Sequence, residues 1–421
     1  MTEERKPDLA IGSTSFRPTL VGRSHAVSSG HYYATIAAMR VLDRGGNAID
    51  AGVTAAMALA VLQPDVVSFA GVAPTLIHLV EGRVVSLAGL GYWPAATDVE
   101  RLRRESRDGH VPEGILRTVI PAAPATHVEA LRRFGTISFE EAATPAMELA
   151  RDGFPLYPML ANNLASSAAL WALWPSSADV YVPGGRSPKL GELFVQRDLA
   201  ATIGTKIDAE KQARGDRATR LRAVHDCFYR GPIAAKIVEF HERNGGFMRR
   251  ADLAEFETPI EAPLSTPVGD YRIDMCDVWC QGIVLPQTLK TLAQADLRTL
   301  GHNSGAYLHT LVEALDLSFA DREAYVGDPK FIDVPVAAML SDDYARRQFA
   351  RIDPARAFGR MPDAGEPRAP AVRDPRIPVA RATPGSAAAL SPDKIYACAA
   401  DRFGNAYSAT VSDTSYDTPT I

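Results

Sequence analysis

Residues 394–412, KIYACAADRFGNAYSATVS, read as two apolar strands folded back on each other at DRFGN. A two-stranded hairpin is marginal by itself, so this one must add to a sheet built by earlier residues, or by residues this chain lacks. The residues just before it cannot provide that sheet. Positions 354–392 hold eight prolines among many Ala and Arg and show no apolar period. Such a segment cannot bury enough surface to offset its ordering entropy, so 354–393 reads as mobile. A structureless stretch of this length inside a compact chain is usually functional or a linker. The first strand starts abruptly, with Lys394 at its head.

Upstream, residues 24–353 alternate between helical and extended patterns and form the body, behind a tail at 1–23. In HYYATIAAMRVLDRGGN, residues Tyr32, Ile36, Met39 and Leu42 fall on one stripe, and Gly45-Gly46 is a stop signal. AIDAGVTAAMALAVLQP is a second helix, rich in small side chains and ended by Pro64. Small side chains let a neighbouring backbone approach closely, which suits a helix packed centrally against a sheet. APTLIHLVEGRVVSLAGLG reads as two strands around EGR. Further on, Leu308, Leu311, Val312, Leu315 and Phe319 fall at helical spacing behind an Asn303-Ser304 cap.

Several function classes find no support. In a chain of 421 residues, a net charge of −5 and the lack of a Lys/Arg cluster interleaved with aromatics argue against a nucleic-acid surface. AGVTAAMALAVL is too short to span a bilayer, and MTEERKPDLAIG lacks a signal-peptide core. The expectation is a cytoplasmic protein without membrane contact. Cys227, Cys276, Cys280 and Cys398 read as reduced and structural, since CDVWC is not a usual zinc pair and no second pair completes four ligands. No metal site is expected. His31 leads a helix and His309 lies within one, both placed for capping or packing. G-x-S-x-G, H-E-x-x-H and a phosphate loop ending in GK[ST] are all lacking.

One architecture explains a mobile run that ends at a strand. In N-terminal-nucleophile hydrolases a precursor cuts itself just before a Thr, Ser or Cys heading a central strand, and the freed amine serves that residue as base. The chain resembles the γ-glutamyltransferase (γ-glutamyltranspeptidase) family of that superfamily. The resemblance rests on RVLDRGGNAIDAGVTAAMALAVLQP (40–64), FGTISFEEAATPAMELARDGFPL (134–156), LGHNSGAYLHTLVEALDLSFADREAYVGDPKFIDVPV (300–336) and ADRFGNAYSAT (400–410). It implies an α/β fold of the four-layer αββα sandwich type, cut into a large and a small subunit and incomplete in this chain. It also implies amide chemistry on a small-molecule substrate, as hydrolysis or acyl transfer to an amine, without metal or organic cofactor. The partner it implies is a small-subunit-like chain or C-terminal segment, beginning here with 394–421, and the protein could form homo- or hetero-oligomers.

Against the family's GDTxYxxxxDxxGNA pattern, Lys394 stands where the nucleophilic Thr belongs. It has no hydroxyl to attack the preceding carbonyl, and Ser391 could serve only after a register shift. Ser412 matches a hydroxyl that hydrogen-bonds the nucleophile, and Thr414 matches an Asn that contacts the new amine. Leu90 occupies the position of the arginine that clamps a γ-glutamyl α-carboxylate, followed by Tyr92 and Trp93. The family's PPPSSGG stretch becomes CDVWCQGIVLPQ, which brings Gln281 and Gly282 into the candidate substrate site. Three readings follow: a divergent amidohydrolase or acyltransferase, an unprocessed pseudoenzyme kept for binding, or a lysine-dependent enzyme on the same scaffold.

Overall fold

The computed structural model describes residues 20–107, 109, 111–112, 114–368 and 394–413. The chain runs through β1 (Ala26–Ser29), α1 (Tyr32–Asp43), α2 (Ala48–Leu62), β2 (Thr75–His78) and β3 (Val84–Leu87). Helices α3 (Ala123–Phe134), α4 (Phe139–Asp152) and α5 (Arg197–Gln212) follow. Then come β4 (Ile260–Glu261), β5 (Leu264–Val268), β6 (Tyr271–Met275) and helices α6 (Val284–Leu292), α7 (Gly305–Tyr325) and α8 (Asp342–Phe349). Strands β7 (Ile395–Ala400) and β8 (Ala406–Val411) close the described chain.

The late hairpin does not pack at the periphery. It forms the middle of a six-stranded antiparallel sheet in the order β1-β7-β8-β2-β3-β4. Three of those strands come from the first ninety residues, over 300 residues upstream of the hairpin, and β4 adds the edge next to β3. Helices α1 and α2 cover one face, with α4 and α5 beyond them. Strands β5 and β6 form a separate ribbon.

All 15 residues of α2 are buried, as expected of a small-residue helix against a sheet. Asn47 caps it by accepting from Ile49 N and Asp50 N, and the Asp50 carboxylate returns to Asn47 N at 2.9 Å. That carboxylate also accepts from Thr136 N at 2.8 Å and so ties α2 to the turn before α4. The small side chains have a specific use at Gly52. A Cβ there would lie 2.0 Å from the Tyr407 ring, which β8 drives into the helix. Glycine ordinarily weakens a helix, but here it makes room for an aromatic ring. Gly52→Val is expected to destabilise the protein by about 3 kcal/mol through overpacking, read as a lowered denaturant midpoint.

Two helical faces differ from the sequence reading. In α1 the buried positions are Ala34, Ala37, Ala38, Val41 and Leu42, whereas Tyr32 and Ile36 are exposed. The tight α1–α2 contact selects alanines over larger apolar residues. In α7 the apolar stripe also points outward, with Leu308 and Val312 about half exposed. The inward face mixes Ala314, Leu317 and Ala320 with the polar Thr310, Glu313, Ser318 and Asp321. Asp321 accepts from Gln287 Nε2, from Tyr344 Oη at 2.8 Å, from Gln348 Nε2 at 2.7 Å and from Gly365 N at 2.7 Å. Buried polar groups are stable when fully paired, and this network joins α6, α7 and α8 to the segment around residue 365. The part of the 354–393 run at 369–393 lies outside the described residues.

Among the described residues, no helix is long and apolar enough to cross a membrane, and no group of His, Cys, Asp and Glu is arranged to hold a metal ion. His309 contacts the Asp353 carbonyl through Nε2 at 2.8 Å. His31 caps α1 by accepting from Tyr33 N, and burial lowers its pKa to about 4.

Candidate functional site

Why does the chain turn sharply at DRFGN? Asp401 answers this. Its Oδ1 accepts from Phe403 N at 2.8 Å and Asn405 N at 3.0 Å, while Oδ2 accepts from Asn405 Nδ2 at 2.9 Å. Oδ2 also accepts from Ala48 N at 2.9 Å, at the start of α2, where the helix dipole favours a negative charge. Gly404 supplies the left-handed backbone, with φ of 99°. Asn405 Oδ1 accepts from Val80 N at 2.9 Å and so binds the turn to the β2–β3 connection. Burial pushes the Asp401 carboxyl up, but these donors outweigh it and hold the group below the usual carboxylate range. The turn therefore fixes the hairpin's register from the far end.

At the other end the register brings the sequence candidates together. Ile395 pairs with Val411, so the next positions in that ladder are Lys394 and Ser412. Lys394 is exposed and Ser412 half-buried. Ser412 exchanges two backbone hydrogen bonds with Val72, at 3.0 and 3.1 Å. The neighbouring Gly71 admits that approach, since a Cβ there would lie 2.4 Å from the Ser412 carbonyl oxygen. Gly89 plays the same part beside Ala73, whose N–H donates to the Gly89 carbonyl at 2.7 Å. One end of the central strands thus carries Lys394, Ser412, the Gly71 loop and the segment leading to Leu90.

The other candidates spread outward from that edge. Leu90 is half-buried, and Tyr92 and Trp93 are 40% and 44% exposed. Lys330 places its ammonium 4.1 Å from the Tyr92 ring centroid. Gln281, with φ of 64°, accepts through Oε1 from Arg322 and leads into the buried Gly282. A shallow depression of about 450 Å³ lies beside this turn, lined by Asp277, Val278 and the 329–334 segment. Thr414 and Ser391 lie outside the described residues.

Two groups near the strand head have no signal in the sequence. The Cys280 thiol donates to the Asp277 carbonyl at 3.5 Å and lies within electrostatic reach of Lys394. The Ile395 side chain lies against Gly30, and the buried Asp65 accepts from Asn163 Nδ2 at 2.5 Å. Burial raises the Asp65 carboxyl, and the Asn163 hydrogen bond opposes that rise only in part. Neither contact is visible as a spacing, because each joins residues from separate elements.

The arrangement offers a central strand whose head opens at one end of the sheet, flanked by a serine hydroxyl and a glycine-admitted loop. The family model described as Gamma-glutamyltranspeptidase matches residues 34–416. The chain belongs to the gamma-glutamyltranspeptidase family. Among the relatives of this family member, Acylase ACY 1 proenzyme of Pseudomonas sp. (strain SE83) is 30% identical, over 96% of this chain and 68% of its own length. Glutathione hydrolase proenzyme of Bacillus subtilis (strain 168) is 28% identical, over 87% of this chain and 60% of its own. The chain thus spans between about three-fifths and two-thirds of these relatives. Of solved structures, Helicobacter pylori gamma-glutamyltranspeptidase superposes with a TM-score of 0.71 at 29% identity, covering 82% of this chain and 95% of that one. The structure named LmbA2991HD superposes with a TM-score of 0.85 at 31% identity, covering 96% and 70%. The fold of this family member is therefore the N-terminal-nucleophile hydrolase type of its relatives, as the sequence motifs imply.

Proposed function

We propose that this protein acts on amide bonds of small acyl compounds, by hydrolysis or by acyl transfer to an amine, with the acyl group not restricted to γ-glutamyl. Family membership supports the reaction class. The observation that carries the acyl preference is Leu90, at the place where the resemblance implies an arginine clamp. A guanidinium recognises a carboxylate through two parallel hydrogen bonds, and Leu cannot form either. Exposed Tyr92 and Trp93 beside it offer flat apolar surface instead. The outward apolar stripe of α7 supports a further part of this reading, a small-subunit-like segment that completes the protein.

The test compares p-nitroaniline release from a straight-chain acyl anilide and from the γ-glutamyl anilide, with the completing segment present. Faster release from the plain acyl compound is expected. Leu90→Arg is expected to improve γ-glutamyl turnover by about tenfold or more relative to the plain acyl substrate, through a restored ion pair. A wild-type preference for γ-glutamyl would refute the acyl assignment.

The pseudoenzyme reading retains one specific observation, Lys394 at the head of β7. A lysine amine attacks carbonyls only when its surroundings keep it neutral, and it cannot expose a new N-terminal amine. An uncut chain that binds an acyl amide without turnover would favour that reading over catalysis.

A further inference from the structure

The backbone of residues 90–93 is fixed from outside. Ile120 N donates to the Tyr92 carbonyl at 3.0 Å, and a Cβ on Gly91 would lie 1.8 Å from the Ile120 carbonyl oxygen. The Tyr92 ring meets Phe256 edge-on, with centroids 6.1 Å apart. Lys330 reaches the same ring and places its ammonium 4.1 Å from the centroid. That lysine sits in a closed turn. Its own N–H donates to Asp328 Oδ1 at 2.9 Å, and the N–H groups of Phe331 and Ile332 donate to the Asp328 carbonyl at 3.0 and 3.1 Å. Among the described residues, the Lys330 ammonium has no carboxylate partner. A ring face attracts an ammonium without neutralising it, so the charge and its outward N–H donors stay available.

The same lysine lines the depression of about 450 Å³, where Val278, Ile332, Val334 and Val336 supply an aliphatic wall. The two carboxylates of that lining are already engaged. Asp277 Oδ1 accepts from Val278 N at 2.7 Å, and Asp333 pairs with Arg368 at 2.8 Å. The depression also adjoins the main sheet. Trp279 Nε1 donates to Glu261 of β4 at 3.0 Å, and Glu261 pairs with Ser86 of β3, the strand that leads on to Leu90 and Tyr92. Lys330 therefore joins the depression to the segment that carries Leu90.

We propose, on the amide reading given above, that Lys330 is a carboxylate-recognising residue of the acyl site, which makes the preferred acyl groups apolar chains ending in one carboxylate. The chain lies against Tyr92, Trp93 and the aliphatic wall, and its terminal carboxylate accepts from the Lys330 ammonium. Leu90 offers no such contact. An ammonium is a compact point charge that does not fix two oxygens in a plane, so it suits a carboxylate at the end of a flexible chain. A second negative charge on the ligand meets Asp277 and Asp333, and the α-ammonium of a γ-glutamyl group meets Lys330 itself. Both repulsions narrow the class to monoanions without an amine.

The probes are N-methylglutaramic acid and N-methylvaleramide, acyl amides of equal chain length that differ by a terminal carboxylate against a methyl group. Titrated into the whole chain and followed by ligand-observed NMR, the acid is expected to bind about fivefold more tightly at low salt, the effect of an exposed ion pair. The preference should shrink at about 0.5 M salt, vanish in Lys330→Met and persist in Lys330→Arg. Equal affinity for the two probes, or a preference that survives in Lys330→Met, overturns the proposal. The p-nitroanilides of the same two acyl groups, with the completing segment present, separate this outcome from failure of the amide reading. A binding preference without release from either anilide supports the Lys330 subsite and contradicts amide chemistry. Equal binding with equal kcat/KM for both anilides removes the subsite and leaves amide chemistry standing.

Discussion

Lys394→Thr is expected to convert a chain that stays whole into one cut immediately before residue 394. The ladder sets this position, because Ile395 pairs with Val411 and the next rung joins residue 394 to Ser412. A threonine hydroxyl there can attack the carbonyl carbon of residue 393, shift that acyl group from nitrogen to oxygen, and leave an ester that water hydrolyses. Lysine offers no such oxygen, so the native chain cannot take the first step. Intact mass after long incubation reads the result directly: two fragments for Lys394→Thr, one species for the native protein and for Lys394→Ala. A cut at any other bond would show that the register is misplaced. A chain that stays whole after the substitution would show that the hydroxyl alone does not restore the step.

The second large effect concerns stability. Asp401→Ala removes the acceptor for four N–H groups, from Ala48, Phe403, Asn405 and the Asn405 side chain. Hydrogen bonds to a charged partner are worth more than neutral ones, and donors left unpaired add a desolvation cost. The expected loss is about 3 kcal/mol, with the central hairpin detaching first. Asp401→Asn keeps an acceptor oxygen and should cost less. The pH dependence follows from the direction of the shift. The folded carboxyl titrates below its unfolded value of about 3.9, so its stabilisation is fully present above that value. It is lost as pH falls through the folded pKa. Denaturant midpoints of the native protein and Asp401→Ala should therefore differ most at neutral pH and converge in acid. A gap that stays constant down to pH values well below 3 would contradict the role of the charge.

How much of this was legible in the chain follows from the reach of each signal. The β7–β8 hairpin and its turn were readable because alternation, Gly404 and Asn405 lie within a few residues of one another. Helix α2 was readable because an unbroken run of small apolar side chains suits only a buried helix. Alignment to the family pattern also put Ser412 at the place of a hydroxyl that meets the nucleophile, and the ladder sets it beside Lys394. The inward face of α7 was not readable. Its periodicity gives a stripe but not which side meets the core, and the answer depends on Gln287, Tyr344, Gln348 and Gly365 meeting Asp321 from distant positions.

The proposed amide chemistry centres on the strand ends where Lys394, Ser412 and the segment before Leu90 converge. Release of p-nitroaniline from a straight-chain acyl p-nitroanilide, by the chain together with its small-subunit-like segment, tests that claim most directly. Turnover is expected to rise with enzyme concentration and to exceed turnover of the γ-glutamyl anilide. No release from any acyl anilide by the folded protein together with that segment would contradict it.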